Sequence, residues 1–422
     1  MRIIQTKARN RKIKVLTPET IRTVMDQAES FDAKATLIQT LVPIAFDHFV
    51  DQLKAEVKER AGDFYSRTNE ASRWGAQHGS IYLGDEKFRV KIPRLRNSEK
   101  NQEVPLKTYT ALTSPRSLDE TLMKKILLGL STGRYEDVAR QTPEAFGLSK
   151  STVSRRFIRA SKRKLEQFEN RDLSKEDIVA VFIDGKTFAE DEILLAVGIT
   201  LEGKKRALGF VQVASENHRP LEEFFEQLVK RGLKCEEGIL FIIDGSKGIR
   251  KAVERVFQKY ALVQRCQWHK RENVLSYLPK SLQPVFKQKL SEAWNEPEYA
   301  KAKEKLLRIR RELETINASA AASLEEGLEE TLTLQRIELF KELGKSFRTT
   351  NVIESIFARI GERTDKVDYW KNSNQKRRWF AASILDTETR LRKVCGANHL
   401  KLLRMTLKRK LGLEALPVKE AA

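Results

Sequence analysis

The chain has 422 residues and a formal net charge of +21, from 79 Lys and Arg against 58 Asp and Glu. This length suits two or three packed domains, and a 40% apolar share can bury a real core, which excludes disorder throughout. The basic excess favours a polyanionic partner, nucleic acid being the commonest, with a ribosome-associated or simply basic enzyme as the plain alternative.

No run reaches the roughly eighteen apolar residues of a membrane span, so no membrane association is expected. The basic start MRIIQTKARNRKIKVL lacks the long apolar core and cleavage site of a secretory signal. Cys235, Cys266 and Cys395 are too few and scattered for a disulfide framework, which fits a reducing cytoplasm.

Residues 1–116 are expected to form a helical region carrying a basic β-hairpin. Ile38, Leu41, Ile44, Phe46 and Val50 recur at helical spacing. Ile81–Leu83, a Gly84-Asp85 turn and the run FRVKIPRLR then read as two strands, with Arg89, Lys91 and Arg94 among apolar residues. Such a strand suits a phosphate backbone, or equally a charge-guarded edge.

Residues 117–172 read as a helix-turn-helix-like DNA-binding region. Leu122, Ile126, Leu127 and Leu130 make one apolar face, Tyr135–Gln141 a second short helix, and Ser149 caps a third after the Phe146-Gly147-Leu148 turn. With Val153 and Phe157 inward, Lys150, Ser151, Thr152, Ser154, Arg155 and Arg159 would face DNA. A structural three-helix bundle fits the same pattern.

From 173 to 265 the periodicity changes. Ile178–Ile183 is a continuous apolar run, as in a strand buried on both faces, and it ends in Asp184-Gly185. Ile193–Thr200 and Ala207–Val213 read as a hairpin around Gly203-Lys204, followed by a helix over Pro220–Lys230. Ile239–Ile243 repeats the first pattern into Asp244-Gly245. A helix over Lys247–Tyr260 and a strand over Ala261–Arg265 complete an order β-β-β-α-β-α-β. This is the succession of the ribonuclease-H-like α/β fold, a mixed sheet whose first and fourth strands are parallel neighbours. Asp184 and Asp244 would then share adjacent strand ends, where open sheets place their sites. Residues 266–345 are helical and charged and would interrupt this core; 346–395 would complete it, and 396–422 would be a basic tail.

Two bare carboxylates side by side repel and raise each other's pKa. A divalent cation such as Mg²⁺ removes that cost and also binds phosphate, and a pair of such ions serves phosphoryl transfer. Glu354, in TTNVIES, is the candidate third acid. The plainer alternatives are Asp-Gly turns for the two aspartates and a capping box with Asn351 for Glu354.

The motifs FIDGKTF, SENHRPLEEFFEQLVKRGL, FIIDGSKGIRKAV, QRCQWHKRENVLSYLP, EEGLEETLTL and SFRTTNVIESIF, in this order between 178 and 392, resemble the mutator-type insertion-sequence transposases, a branch of the DDE group. The hairpin and helix-turn-helix regions resemble that family's N-terminal half more loosely. The resemblance implies Asp184, Asp244 and Glu354 as the catalytic, metal-holding acids, and Cys266 and His269 as a Cys-x-x-His signature beside them. It implies Mg²⁺, replaceable by Mn²⁺, and cleavage at transposon ends that frees a 3′-OH to attack target DNA. The implied partners are double-stranded DNA, as terminal inverted repeats and target, and a second copy of the chain, acting at the nucleoid in the cytoplasm. GERTDKVDYW departs from the family's more basic run through Glu362, Asp365 and Asp368.

Other roles stay open at this level. Cys266-x-x-His269 with Cys395-x-x-x-His399 has zinc-like spacing. Trp268 suits either a core or a flipped base, and His218 either a helix start or a proton carrier. A catalytically silent DNA-binding regulator and a purely hydrolytic nuclease share these motifs.

Overall fold

The computed structural model describes residues 31–64, 71–83, 86–97, 102–113, 116–129, 150–188, 191–213 and 219–413. It divides into two compact units, Met1–Phe157 and Ile158–Ala422. The Gly84-Asp85 turn, Leu130, Tyr135–Gln141, Phe146–Leu148, Ser149 and His218 lie outside the described residues.

In the first unit, helix α1 (Phe31–Ala61) buries Phe49, Leu53, Val57 and Ala61, a stripe at four-residue spacing. Strand β1 (Ala71–Leu83) pairs antiparallel with β2 (Glu86–Asn97), and β3 (Glu103–Val104) adds to its other side. Phe88, Val90 and Ile92 are buried, so strand alternation turns Arg89 and Lys91 outward, opposite Ser80 and His78. Arg94 differs from this pair. It makes a two-point bond to Glu103 at 2.9 and 2.8 Å, and it lies 4.2 Å from the ring centroid of the exposed Trp74. Glu56 of α1 accepts the N–H groups of Lys107 and Thr108, which open α2 (Lys107–Thr113). Helix α3 (Arg116–Leu127) buries Leu122, Met123, Ile126 and Leu127. Helix α4 (Lys150–Glu169) buries Val153 and Phe157 and runs well past the expected end at 157.

The second unit holds a five-stranded mixed sheet. Its strands are β4 (Ile178–Phe188), β5 (Asp191–Thr200), β6 (Lys205–Val213), β7 (Ile239–Ile243) and β8 (Ala261–Arg265). The spatial order is β6-β5-β4-β7-β8; β4 is parallel to β7, and β7 to β8, while β4-β5 and β5-β6 are antiparallel. The adjacency expected for the first and fourth core strands is thus observed.

Alternation sends the two halves of each apolar run to opposite faces. Ile178, Val181, Ile183, Phe241 and Ile243 pack with Phe225 of α5 (Arg219–Lys230) and Val253 of α6 (Lys247–Phe257). Ala180, Phe182, Leu240 and Ile242 pack on the other face with the later helices. Between the sheet and those helices in sequence stand α7 (Gln267–Ser276), α8 (Gln283–Trp294), α9 (Tyr299–Ile316), α10 (Ala318–Glu325), α11 (Leu328–Thr331), α12 (Thr333–Arg336) and α13 (Phe340–Phe347). Most of this segment shares a separate apolar core from Val274 to Leu332, including Leu290, Leu306 and Leu324.

Helices α14 (Asn351–Thr364), α15 (Ser373–Glu388) and α16 (Leu400–Lys410) cover the second face. Helix α16 corrects the expectation of a basic tail. Leu400, Leu403 and Leu407 are wholly buried in the sheet core, and Arg404 donates to the carbonyls of Gly238 (2.7 Å) and Ile178 (2.9 Å). Lys408, Arg409 and Lys410 make its last turn basic. At the other edge, Glu388 binds Arg171 at two points (2.9 and 2.8 Å) and accepts the Ala207 N–H of edge strand β6 (2.8 Å).

Two stability predictions follow from this packing. Leu403→Ala is expected to destabilise the second unit by about 2–5 kcal/mol, the range for emptying a buried leucine site; a free tail would leave the denaturant midpoint unchanged. Glu388→Ala is expected to cost about 2–3 kcal/mol, because it strands a half-buried guanidinium and a strand-edge N–H together. Unfolding of the two proteins in urea measures both.

Candidate active site

The parallel pairing of β4 with β7 ends at Ile183 and Ile243. Asp184 and Asp244 are the next residues on each chain, so the register sets them at neighbouring positions. Alternation assigns both to the face of Phe182 and Ile242, which α14 covers.

The two Ile-Asp-Gly runs then behave differently. At 183–185 there is no turn: β4 continues, pairing Asp184 with Leu195 and Gly185 with Leu194, to Phe188. Asp184 accepts the Gly185 N–H (2.9 Å) and is 5% exposed. At 243–245 the chain does turn. Asp244 Oδ1 accepts the Ser246 N–H (2.8 Å), and Ser246 Oγ accepts the Ile249 N–H as the cap of α6. Gly245 has φ +108°, and a side chain there would strike the Arg265 guanidinium.

Glu354 stands in the first turn of α14. The capping-box alternative is not formed. The N-cap is Thr350, Asn351 is already helical, and no side chain caps this end. Thr350 Oγ1 instead lies 3.7 Å from Cys266 Sγ, to which it donates, and 3.4 Å from His269 Nδ1.

These elements converge on one cluster. Ligand atoms of Asp184, His269 and Glu354 all lie within 4.8 Å of one another, the one group of metal-capable side chains found among the described residues. Asp244 is not a member of that group. Its charge is nonetheless felt: burial first, and then Asp244, push the Asp184 carboxyl up to about 6 against the pull of His269 and Thr350. His269 is raised as well, which for an imidazole favours the charged form. Burial opposes its charge, but the Cys266 sulfur, Asp184 and Asp244 together raise it to about 9. Cys266 is fully buried; its N–H donates to Ile243 (2.7 Å), and it opens α7, which carries His269. A zinc set with Cys395 and His399 is not formed, since no cysteine belongs to the cluster.

Sequence reasoning missed two supports of this site. Thr350 is one, a buried hydroxyl at a helix start. The other is the Glu326-Gly327 turn. Glu326 offers its carbonyl to Arg265 (2.8 Å) and its carboxylate to Arg265 (3.5 Å), Lys270 (3.7 Å) and Lys247 (3.4 Å). Gly327, at φ +66°, lets the backbone approach Arg265. A lone glycine inside the charged run EEGLEETLTL was the available signal. The Glu326-Gly327 turn fastens the helical segment to the end of β8 and the start of α6, and Thr350 joins the start of α14 to α7.

Of the residues expected to face DNA, Ser151, Ser154, Arg155 and Arg159 are exposed on α4, Thr152 is half-buried, and Lys150 begins the helix. Arg89 and Lys91 are exposed on β2.

The family description "Transposase, Mutator family" matches residues 10–393. The transposase of insertion sequence IS256 in transposon Tn4001 from Staphylococcus aureus is 22% identical over 388 residues, 88% of this chain and 94% of that relative. The IS6120 transposase of Mycolicibacterium smegmatis is 28% identical over 293 residues, 68% of this chain and 88% of the relative. The IST2 transposase of Acidithiobacillus ferrooxidans is 32% identical over 174 residues, 41% and 57% of the two chains. With the family spanning nearly the whole sequence, the chain belongs to the Mutator family of transposases.

Proposed function

We propose that the chain is a DDE transposase with a ribonuclease-H-like core, in which Asp184, Asp244 and Glu354 hold Mg²⁺ (or Mn²⁺) for DNA cleavage and strand transfer. The observation that carries this reading is the convergence of Asp184, His269 and Glu354 from strand β4 and two helices. Asp244 stands on the neighbouring strand end.

The donor chemistry fits a hard divalent ion. Two carboxylates in reach of each other, with a third beside them, supply oxygen ligands at a place where bare acids repel. Such ions, when bound, supply Lewis-acid stabilisation of an in-line phosphoryl displacement. The chain's own part is positional. Ser246 and Gly185 fix the two aspartates through their N–H groups, and helix α14 brings in Glu354. His269 offsets negative charge while the acids are bare, and Thr350 links it to the buried Cys266. The reaction cuts at the element's ends, leaves a 3′-OH, and joins that hydroxyl to a phosphodiester of target DNA.

In this reading Lys150, Ser151, Thr152, Ser154, Arg155 and Arg159 of α4 and the strand pair Arg89 and Lys91 bind the terminal inverted repeats. Arg94, held by Glu103, orders the strand beside them. Residues 173–265 and 346–395 form the core and 266–345 its helical insertion. A homodimer holds the two DNA ends, in the cytoplasm at the nucleoid.

The direct experiment is an end-cleavage and strand-transfer assay with Mg²⁺. Asp184→Asn, Asp244→Asn and Glu354→Gln are each expected to lower both steps by at least about a hundredfold, the scale of losing one transition-state electrostatic group, while keeping DNA binding. Full strand transfer by Asp184→Asn would refute the assignment. Nicking without joining would mean a nuclease, and binding without either a regulator.

A second outcome separates a functional acid from a structural one. Asp184 has a folded pKa near 6, above the ordinary carboxylate value, so its contribution to stability is full below about pH 4 and is lost as pH rises towards 6. Asp184→Asn should therefore stabilise the metal-free protein at pH 8, on the order of 2–3 kcal/mol, and much less at pH 4. Thermal melts at the two pH values read this; destabilisation at pH 8 would mark Asp184 as a structural group.

A further inference from the structure

Beside the acid cluster lies a cavity of about 200 Å³. Its wall includes Trp268, one residue before His269, and Asn351, one turn before Glu354. Three cations (Arg271, Lys345 and Arg348) and the amide of Asn295 share the lining, and no lining residue is acidic. The walls are held together. The Gln267 N–H donates to the Arg348 carbonyl (2.9 Å), and Arg348 also bonds Asn295 Oδ1 (2.5 Å). Arg271 is engaged by Glu272 at 2.9 Å and Arg348 by Asn295, and Lys345 completes the basic lining.

Trp268 is the unusual member. Its neighbour in the same wall, Trp294, is buried and donates to Thr331 (3.0 Å). Trp268 is 41% exposed and meets His269 edge-on, with ring centroids 4.8 Å apart. A large exposed indole on a rigid helix start, framed by cations and amides, has the chemistry of a base-stacking platform: a π-face for the ring, amides for its edge, positive charge for the flanking phosphates. The cavity is smaller than the roughly 300–1,000 Å³ of pockets for drug-sized ligands, so it suits part of a nucleotide. A base reaches such a pocket only by leaving the duplex stack.

We propose that this cavity receives one nucleobase flipped out of the DNA strand next to the phosphodiester at the acid cluster, stacked on Trp268. The inference rests on the proposed function for bringing DNA to the cluster. It adds a base-capture site that fixes which phosphodiester lies at the acids. A phosphate group alone would use the cations and leave the indole idle, which is why the base is preferred.

The test is a binding measurement, so it does not depend on cleavage. Full-length protein is titrated, without divalent metal, onto a fluorescein-labelled duplex of the terminal sequence of its own element, and anisotropy is read. Further duplexes carry one abasic site, moved nucleotide by nucleotide across the cleavage position. Trp268→Ala should bind the intact duplex about tenfold to a hundredfold more weakly, the scale of one lost base–aromatic stack, while Trp268→Phe stays close to the parent. At one abasic position the parent should lose a similar factor, and the difference between parent and Trp268→Ala should vanish. Parental affinity in Trp268→Ala, or a deficit that persists at every abasic position, would overturn the proposal. If Asp184→Asn kept full strand transfer while this coupling was observed, the metal assignment would fail and the base site would stand.

Discussion

Everything at the site depends on the parallel pairing of β4 with β7. It ends at one level, Ile183 against Ile243, and so delivers Asp184 and Asp244 side by side at the top of an apolar sheet. Burial and mutual repulsion oppose this arrangement, and the raised pKa of Asp184 records the cost. The surroundings answer it by supplying positive charge and N–H donors, through His269, Gly185 and Ser246. A fold under selection only for stability would have no reason to keep two acids there.

The helical segment between β8 and α14 is therefore more than a spacer. Its first helix carries His269, and its Glu326-Gly327 turn grips Arg265, Lys270 and Lys247, at or near the same sheet edge. Its apolar core from Val274 to Leu332 is its own, while Leu334, Ile337, Leu343 and Phe347 at its end join the core of the sheet. The same segment supplies Trp268, Asn295 and Lys345, so the cavity wall and His269 of the acid cluster share one support.

Much of this was legible in the residues. Continuous apolar runs at 178–183 and 239–243 announced strands buried on both faces, and the expected ribonuclease-H-like succession made the first and fourth core strands neighbours. The aspartates followed from that order. What stayed hidden depended on tertiary contact. An Asp-Gly pair is locally a turn, and only the long β5 partner shows that β4 runs through it. Glu354 matched a capping box as well as a ligand, until Thr350 was seen to take the N-cap and turn its hydroxyl towards Cys266. The residues after 400 were read as a tail because their charge was conspicuous; the leucines spaced three and four apart between them carry the packing. In the first unit, alternation placed Arg89 and Lys91 correctly, but no local rule links Arg94 to Glu103 across two strands.

The position of α16 has a consequence for how the molecule comes into being. Its leucines complete the core that β4 begins more than two hundred residues earlier, and Arg404 ties the carbonyl of Ile178 to that of Gly238. Contacts so distant in sequence slow folding and keep a nascent chain incomplete until its last helix has emerged. Because α16 packs against the starts of β4 and β7, at Ile178 and Gly238, the two strands that lead to the acids gain their final backing only after synthesis has passed residue 407. A chain interrupted before that point carries the acidic motifs without the packed sheet that orders them.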